Sequence, residues 1–286
     1  MIKDFVKVHE KKWYIASSLW LYRYIRYYLF KKVKFFWFHT PFFLPFSCQK
    51  KLRLLKKTYS GRCFIIGTGP SLTLNDLNKL DNEIVFGANS LCTIVGDKFR
   101  TTITSSRKPW YYGFQDDAVW LKYSDIIETF PPEHVFYNTD VLYRLGKKNF
   151  KIWKTAVPFH SDYHGHAFRY GHSLKTGFAK NAAFGVHDGY TILYSLLQIS
   201  VFMGFSEVYL LGADCNYNQQ QQHSVLANKD QVNDGIYKYL SGPSMIASYK
   251  VAKKWADKHG IKIYNATRGG MLDVFPRVDL DEVLKQ

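Results

Sequence analysis

The sequence predicts an α/β protein whose parallel β-sheet carries helices on both faces. Three observations support this: short apolar runs recur along the chain, segments of helical character separate them, and glycine or polar residues follow the runs. Strands that alternate with helices are typical of β-α-β units, which form parallel sheets. The predicted strands span 63–66, 84–88, 101–104, 134–137, 208–211 and 261–264. The predicted helices span 115–129, 188–203 and 244–258, and the predicted long loops span 145–182 and 215–242.

The first predicted strand ends in a glycine turn, Gly67-Thr68-Gly69-Pro70-Ser71. Glycines allow the backbone to turn sharply and to approach a ligand closely. Pro at the first helical position with Ser beside it favours a helix start here, and a helix start offers N–H groups to phosphate. The turn matches neither the complete G-x-G-x-x-G fingerprint nor the P-loop pattern. It therefore predicts either a nucleotide site or only a tight connection between strand and helix.

Small or polar residues also follow the other predicted strands. Because the carboxyl ends of parallel strands share one edge of a sheet, ligands bind in the crevice at that edge. The residues predicted to lie there are Asn89, Ser90, Ser105, Asp214, Asn265 and Thr267. Arg107 and Lys108 follow the third predicted strand, where they would meet a phosphate or carboxylate or belong to a solvated loop.

The chain of 286 residues has a net charge of +16, but this charge is unevenly distributed. Residues 1–60 hold 14 Lys and Arg against 2 Asp and Glu, whereas the remaining 226 residues hold 25 against 21. A nucleic-acid-binding domain would carry its basic surface on the folded body, so we expect no nucleic-acid partner. The four cysteines form no C-x-x-C pair, which indicates reduced thiols rather than a zinc or redox motif.

The basic N-terminal region interleaves aromatic rings with Lys and Arg over residues 13–46. Tyr and Trp favour the bilayer interface, and Lys and Arg favour anionic headgroups. The sequence shows neither a convincing signal peptide nor a run of 18 apolar residues, so we expect an interfacial anchor on the cytoplasmic face of the membrane. The alternative is a helix that packs its aromatic rings on the body. The predicted division is a basic aromatic appendage at 1–57, helical in part, and an α/β catalytic domain at 58–286.

Four short motifs in order resemble the MptE-like family, named for archaeal 6-hydroxymethylpterin diphosphokinase, and bacterial sialyltransferases that use CMP-sialic acid. The motifs are G-T-G-P-S-L at 67–72, F-G-A-N-S at 86–90, G-F-S-E-V-Y-L-L-G-A-D at 204–214 and I-Y-N-A-T at 263–267. The resemblance spans roughly 60–280. It implies a Rossmann-like, GT-A-like single nucleotide-binding domain, and many bacterial members of the family are encoded among surface-polysaccharide genes.

The resemblance also implies roles for individual residues. Gly67, Thr68, Gly69, Pro70 and Ser71 would line the nucleotide phosphate, and Asn89 with Ser90 would contact the nucleotide. In the sialyltransferases a catalytic histidine follows a flexible lid, and His223 is the candidate here, although the surrounding pattern differs. An unperturbed histidine titrates near pH 6.5 and suits a general base. The alternative for His223 is an exposed loop histidine beside a polar run of residues.

Two aspartates, Asp214 and Asp188, have either a role in the site or a capping role in the fold. Asp214 would orient a ribose or a catalytic group, or bind Mg²⁺ with phosphates, or it only caps a loop after its strand. His187-Asp188-Gly189 stands where those sialyltransferases have Thr-Ser-Gly, so Asp188 and Gly189 are candidate substrate contacts. The alternative for Asp188 is capping of the helix that follows. His160, His164, His166 and His172 indicate a basic loop over an anionic substrate rather than a metal site.

These interpretations predict a glycosyltransferase-like enzyme of surface-polysaccharide or lipopolysaccharide assembly. It would use a nucleotide sugar, such as a CMP-activated acidic sugar, and a glycan or lipid-linked acceptor, with no cofactor required. One alternative is a diphosphokinase of the pterin type, which would need ATP and Mg²⁺ and several carboxylates, of which only Asp214 is well placed. The other alternative is a non-catalytic scaffold that binds glycan enzymes at the membrane.

Overall fold

A computed structural model of the protein describes residues 47–100, 108–162, 176–216 and 237–286. The strands are β1 Arg62–Ile66, β2 Val85–Ala88, β3 Trp110–Phe114, β4 Val135–Asn138, β5 Val157–Phe159, β6 Ser161–Asp162, β7 Val186–His187, β8 Glu207–Leu211 and β9 Lys262–Asn265. Seven of them run parallel in one sheet in the order β5-β4-β3-β2-β1-β8-β9, and β6 pairs with β7 in a separate parallel ribbon. The predicted α/β fold is confirmed.

Helices cover both faces of this sheet. They are α1 Ser47–Leu54, α2 Leu74–Asn78, α3 Leu91–Ile94, α4 Gly96–Arg100, α5 Asp117–Ile127, α6 Thr139–Asn149, α7 Ile192–Met203, α8 Tyr237–His259 and α9 Leu280–Leu284. Successive side chains of a strand point to opposite faces. Cys63 and Ile65 accordingly join the core beneath α1, α7 and α8, whereas Phe64 and Ile66 join the core beneath the remaining helices.

Helix α7 lies at the centre of the first core. Eleven of its twelve residues are buried, as its largely apolar sequence predicts. The Thr191 side chain accepts a hydrogen bond from the backbone N–H of Leu193 and caps the start of the helix. Gly204, with φ at 112°, ends the helix in the left-handed conformation. The predicted helix 188–203 is therefore confirmed with a later start, and Thr191 rather than Asp188 is the cap.

Two strands and the start of one helix differ from the predictions. The third strand of the sheet is β3, an aromatic run that the prediction passed over, and the predicted strand 101–104 lies outside the described residues. The predicted loop 145–182 contains β5, whose three residues were too few to show a period. Helix α8 begins at Tyr237, inside the segment predicted as a polar loop.

Helix α1 lies within the segment predicted as an N-terminal appendage, yet it packs on the body. Leu52 is only 1% exposed and belongs to the core that includes β5. The ammonium group of Lys51 donates hydrogen bonds to the carbonyl oxygens of Lys154, Thr155 (2.6 Å) and Ala156 (3.1 Å). The compact unit that contains the sheet starts at Ser47. The functional division at residue 57 remains a prediction, and residues 13–46 lie outside the described residues.

Across the described residues, no helix combines the length and the apolar character needed to cross a bilayer.

Candidate functional site

The strand order of the sheet reverses between β1 and β8. The chain builds outward from β1 to β5 and then returns to place β8 on the other side of β1. Adjacent connections diverge at such a position, which leaves a crevice beyond the carboxyl ends of the two strands. An open cleft lies there, and its empty space of about 530 Å³ includes open solvent. It is lined by Gly67, Thr68, Gly69, Asn89, Thr191, Leu193, Gly212, Ala213, Asp214, Cys215, Asn216, Met245 and Tyr249.

The two glycines of the turn allow β1 and β8 to approach each other at the base of the cleft. The N–H of Gly67 donates to the carbonyl oxygen of Leu211 (2.8 Å), and the N–H of Gly69 donates to that of Gly212 (2.9 Å). A Cβ atom at Gly69 would lie 1.9 Å from Oδ2 of Asp214 and 2.6 Å from the Gly212 carbonyl oxygen. Glycine is therefore favoured at 69 by close packing against both the Asp214 side chain and the Gly212 backbone.

Asp214 occupies the centre of this arrangement. The Ser71 hydroxyl donates to Oδ2 of Asp214 at 2.8 Å, and the Ser71 backbone N–H donates to the same side chain. The Met271 N–H donates to the Asp214 carbonyl oxygen at 2.7 Å and fixes the backbone. Burial raises the pKa of the Asp214 carboxyl above its ordinary value, while the hydrogen bonds from Ser71 act in the opposite direction.

The predicted helix start at Pro70 is wrong. Pro70 and Ser71 form a turn, and α2 begins at Leu74 after the cap residue Thr73. The N–H groups of Gly67 and Gly69 are bonded to the end of β8, and Ser71 donates to Asp214. The phosphate contacts predicted for the turn remain predictions, and Thr68 is the turn residue that lines the cleft between the two glycines.

An ion pair outside the cleft holds the turn in place. Arg268 donates to both carboxylate oxygens of the buried Asp76, at 2.8 and 2.5 Å, and to the Ser71 carbonyl oxygen at 3.0 Å. Thr73 and Asp76 also form a reciprocal capping box at the start of α2. Burial opposes ionisation of Asp76, but the hydrogen bonds from Arg268 and Thr73 outweigh it and hold the pKa of Asp76 below its ordinary value.

Asn89 projects from the end of β2 with an uncommon backbone conformation. Its φ of 52° lies in the left-handed region, which Asn tolerates better than most residues. The Tyr112 hydroxyl donates to the Asn89 carbonyl oxygen at 2.7 Å, and this hydrogen bond holds the Asn89 backbone in place. The half-buried side chain lines the cleft. Ser90 is fully buried and is absent from the residues that line the cleft.

Asn265 and Thr267 hold the loop that follows β8 through hydrogen bonds. The Thr267 hydroxyl oxygen accepts the Ala213 N–H at 3.0 Å. The Asn265 side chain accepts the Thr267 N–H at 3.0 Å and donates to the Leu272 carbonyl oxygen at 2.7 Å. Both residues are buried. Their predicted contact with substrate remains a prediction, since these bonds hold the loop that follows β8.

Asp188 and Gly189 precede Thr191, which lines the cleft. The carboxylate of Asp188 accepts the Tyr190 N–H at 2.9 Å and is hydrogen-bonded to Gln115, at the end of β3. Burial raises the pKa of Asp188 to about 6, and the nearby Asp116 carboxylate acts in the same direction. A Cβ atom at Gly189 would lie 2.2 Å from the ring of Tyr194, so glycine is needed for packing.

Gln198 holds the loops that surround Asp188. Its carbonyl oxygen accepts the N–H groups of Ala179 (3.0 Å) and His187 (2.9 Å), and its amide donates to the carbonyl oxygens of His187 and Tyr194, both at 2.9 Å. A buried amide with all these bonds made is well satisfied. No sequence pattern singles out Gln198, because its apolar neighbours indicate only a buried helix.

Several cleft residues had no distinct sequence signal. Met245 and Tyr249 lie four residues apart on α8 and form an apolar wall. That spacing predicts only a helix face that packs on the core. Cys215 and Asn216 also line the cleft and directly follow Asp214 in the chain. A prediction that extended the set of strand-end residues two positions past Asp214 would have included them.

Other predicted site residues lie outside the described residues: Ser105, Arg107, His223, His164, His166 and His172. The described His160 pairs through Nδ1 with the Thr139 hydroxyl at 3.1 Å. Within the described ranges, no three His, Cys, Asp or Glu side chains form a group that could hold a metal ion.

Among solved structures, the chain is similar to the MAf glycosyltransferase from Magnetospirillum magneticum AMB-1, with 11% sequence identity and a TM-score of 0.48. The match covers 82% of this chain and 39% of that chain, so this chain spans well under half of that glycosyltransferase. No protein-family model and no curated protein matches the chain. The resemblance to the MptE-like family therefore remains a prediction.

Proposed function

We propose that the protein is a transferase that binds a nucleotide-activated sugar through the nucleotide, in the cleft between β1 and β8. The observation that carries this proposal is the cleft itself. It lies at the position where the strand order reverses, and a close-packed glycine turn, the Asn89 side chain and the Asp214 carboxylate converge on it. Open α/β sheets bind their ligands at such positions.

The chemical character of the lining matches a nucleoside. The side chains of Asn89 and Asn216 offer amide donors and acceptors to a base, and the Asp214 carboxylate accepts hydrogen bonds from ribose hydroxyls. Met245 and Tyr249 provide the apolar surface on which a flat base packs. Small-molecule sites combine such apolar walls with a few convergent polar groups.

Glycosyl transfer breaks the bond between the sugar and the nucleotide phosphate while an acceptor hydroxyl forms the new glycosidic bond and loses its proton. That proton needs an acceptor that is ionised near neutral pH. Asp188, whose pKa burial raises to about 6, has this property, and this buried carboxylate lies three residues before Thr191, which lines the cleft. His223 is the other candidate base. The acceptor in this proposal is a glycan or a lipid-linked glycan at the cytoplasmic face of the membrane.

The first test is the thermal stability of the full-length chain with CMP, CMP-sialic acid, UDP, GDP, or ATP with Mg²⁺. A ligand at about 100 times its dissociation constant adds about 2.7 kcal/mol to the free energy of unfolding. That corresponds to a rise in Tm on the order of 5 °C for a chain of this size. A shift with CMP compounds supports the transferase. A shift with ATP alone favours the diphosphokinase, and no shift with any nucleotide favours the scaffold.

Asn89 allows a matched pair of variants. Asn89→Gly removes the amide and keeps the left-handed backbone without strain, whereas Asn89→Ala removes the amide and strains the backbone. If the amide contacts the nucleotide, both variants lose the ligand-induced rise in Tm, and only Asn89→Ala has a lower Tm without ligand. A full ligand response in Asn89→Gly would exclude Asn89 from the site.

A further inference from the structure

Helix α1 presents a cationic outer face. Leu52 points into the core, whereas Lys50, Arg53 and Leu54 lie on the opposite side, with Leu54 69% exposed. Residues three and four apart are neighbours on a helix surface, so these three side chains form one patch. The stretch 47–57 contains five Lys and Arg and no acidic residue.

A second cationic segment lies against α1. The stretch 147–154 contains four lysines and no acidic residue, which equals the whole net positive charge of residues 61–286. The Lys51 ammonium group donates to the carbonyl oxygens of Lys154 and the two residues after it, so α1 packs directly on the end of this segment. Lys154, at the end of the second stretch, therefore lies beside the cationic helix α1, whereas Lys151 of the same stretch is paired with Glu128 at 3.5 Å.

Apolar side chains are exposed beside the cations of α1. The guanidinium of Arg53 lies 5.2 Å from the centre of the Phe184 ring, which is itself 39% exposed. Leu54 lies next to Arg53 on the helix. Cations interleaved with an exposed ring and an exposed aliphatic side chain are typical of surfaces that rest at the headgroup level of a bilayer.

We propose that this basic face, defined by Lys50, Arg53, Leu54, Lys154 and Phe184, docks on a membrane surface rich in anionic phospholipids. Two observations select a lipid surface as the partner. The positive charge is complementary to anionic headgroups, and the exposed apolar side chains suit partial insertion between them. Helix α1 also begins directly after the aromatic and basic residues 13–46, which the sequence predicts to be interfacial. The inference is independent of the reaction at the cleft.

The test is co-sedimentation of the full-length protein with vesicles of phosphatidylcholine alone or mixed with phosphatidylglycerol. The test variant carries Lys50→Gln, Arg53→Gln and Lys154→Gln. Each cation at an anionic surface changes the partition coefficient by about fivefold. We therefore expect the test variant to bind the anionic vesicles at least about tenfold more weakly than the unmodified chain, and the loss to shrink as salt rises.

A matched control removes the same charge elsewhere. Lys250, Lys254 and Lys258 are exposed on α8, which packs beside β9 at the opposite edge of the sheet from α1 and β5. Their replacement by Gln should leave vesicle binding nearly unchanged. A second test variant with Lys50→Gln, Lys56→Gln and Lys154→Gln keeps the contact between Arg53 and Phe184 and should show a comparable loss.

Three results would overturn the proposal. The first is an equal loss of binding in the test and control variants, which would indicate net charge alone. The second is unchanged binding in both test variants, which would leave residues 1–46 as the sole membrane contact. The third is retention of the protein by DNA at the same salt with no binding to anionic vesicles, which would make the partner a nucleic acid.

Discussion

Gly69→Ala is the sharpest perturbation of the proposed site. The added Cβ atom would lie 1.9 Å from Oδ2 of Asp214, whereas ordinary contact begins at 3.4 Å, so the carboxylate must move by about 1.5 Å. That movement breaks the 2.8 Å hydrogen bond from Ser71. The Cβ atom would also lie 2.6 Å from the Gly212 carbonyl oxygen, which accepts the Gly69 N–H. Side chain and backbone on the β8 side of the cleft are therefore both displaced.

The magnitude follows from two costs. Overpacking of a filled site costs about 1–3 kcal/mol, and loss of a hydrogen bond to a charged group costs about 1.5–3 kcal/mol. Since the two effects share one displacement, we expect the free energy of unfolding to fall by about 2–4 kcal/mol, with loss of the nucleotide-induced rise in Tm. Urea denaturation and thermal unfolding with and without ligand measure the two effects.

Gly96→Ala is the matched control. The nearest atoms to a Cβ at Gly96 lie 3.6 Å away, and this glycine begins α4. Alanine there should change stability by less than about 1 kcal/mol, in the stabilising direction if helix propensity dominates, and should leave the ligand response intact. If Gly69→Ala were as stable as Gly96→Ala and kept its ligand response, the close packing of Gly69 against Asp214 would be refuted.

Three further predictions concern stability. A folded-state pKa of about 6 for Asp188, above its unfolded value of about 3.9, means that stability is lost as the pH rises through this window, by about 3 kcal/mol. Urea denaturation should show that the free energy of unfolding of Asp188→Asn, relative to that of the unmodified chain, is higher at pH 7 than at pH 4. The same difference in free energy at both pH values would contradict this. Arg268→Ala leaves the Asp76 carboxylate, 2% exposed, without its guanidinium and should cost about 1–3 kcal/mol at pH 7. Because the lowered pKa of Asp76 stabilises the fold only above its unfolded pKa, this cost should diminish below about pH 4, and a pH-independent cost would argue against the ion pair. Leu52→Ala should cost about 2–5 kcal/mol, whereas the exposed Leu54→Ala should cost almost nothing; similar values by thermal unfolding would show that α1 is not part of the core.

Much of the fold could be predicted because strands buried on both faces of a sheet must be continuously apolar. Strands β1, β2, β4 and β8 are largely such runs, and the edge strand β9 is so in part. Each of the five was predicted within about one or two residues at its ends. Strand β3 was missed because its aromatic residues were not interpreted as a strand, although aromatic side chains favour sheets. Strand β5 was missed because three residues show no period.

The sequence by itself determined that a glycine turn and an aspartate each follow a buried strand. Both the conformational freedom of glycine and a run of apolar residues are local properties of the chain. Only the tertiary structure decided that Asp214 meets Ser71, which lies 143 residues earlier. That contact depends on the chain's return beside β1 after four further strands have been added on the other side. The tertiary structure likewise decided that Thr191 caps α7, which leaves the Asp188 carboxylate to Tyr190 and Gln115. The order of the strands depends on how both helical layers pack on the sheet, so it cannot be predicted from any local pattern of residues.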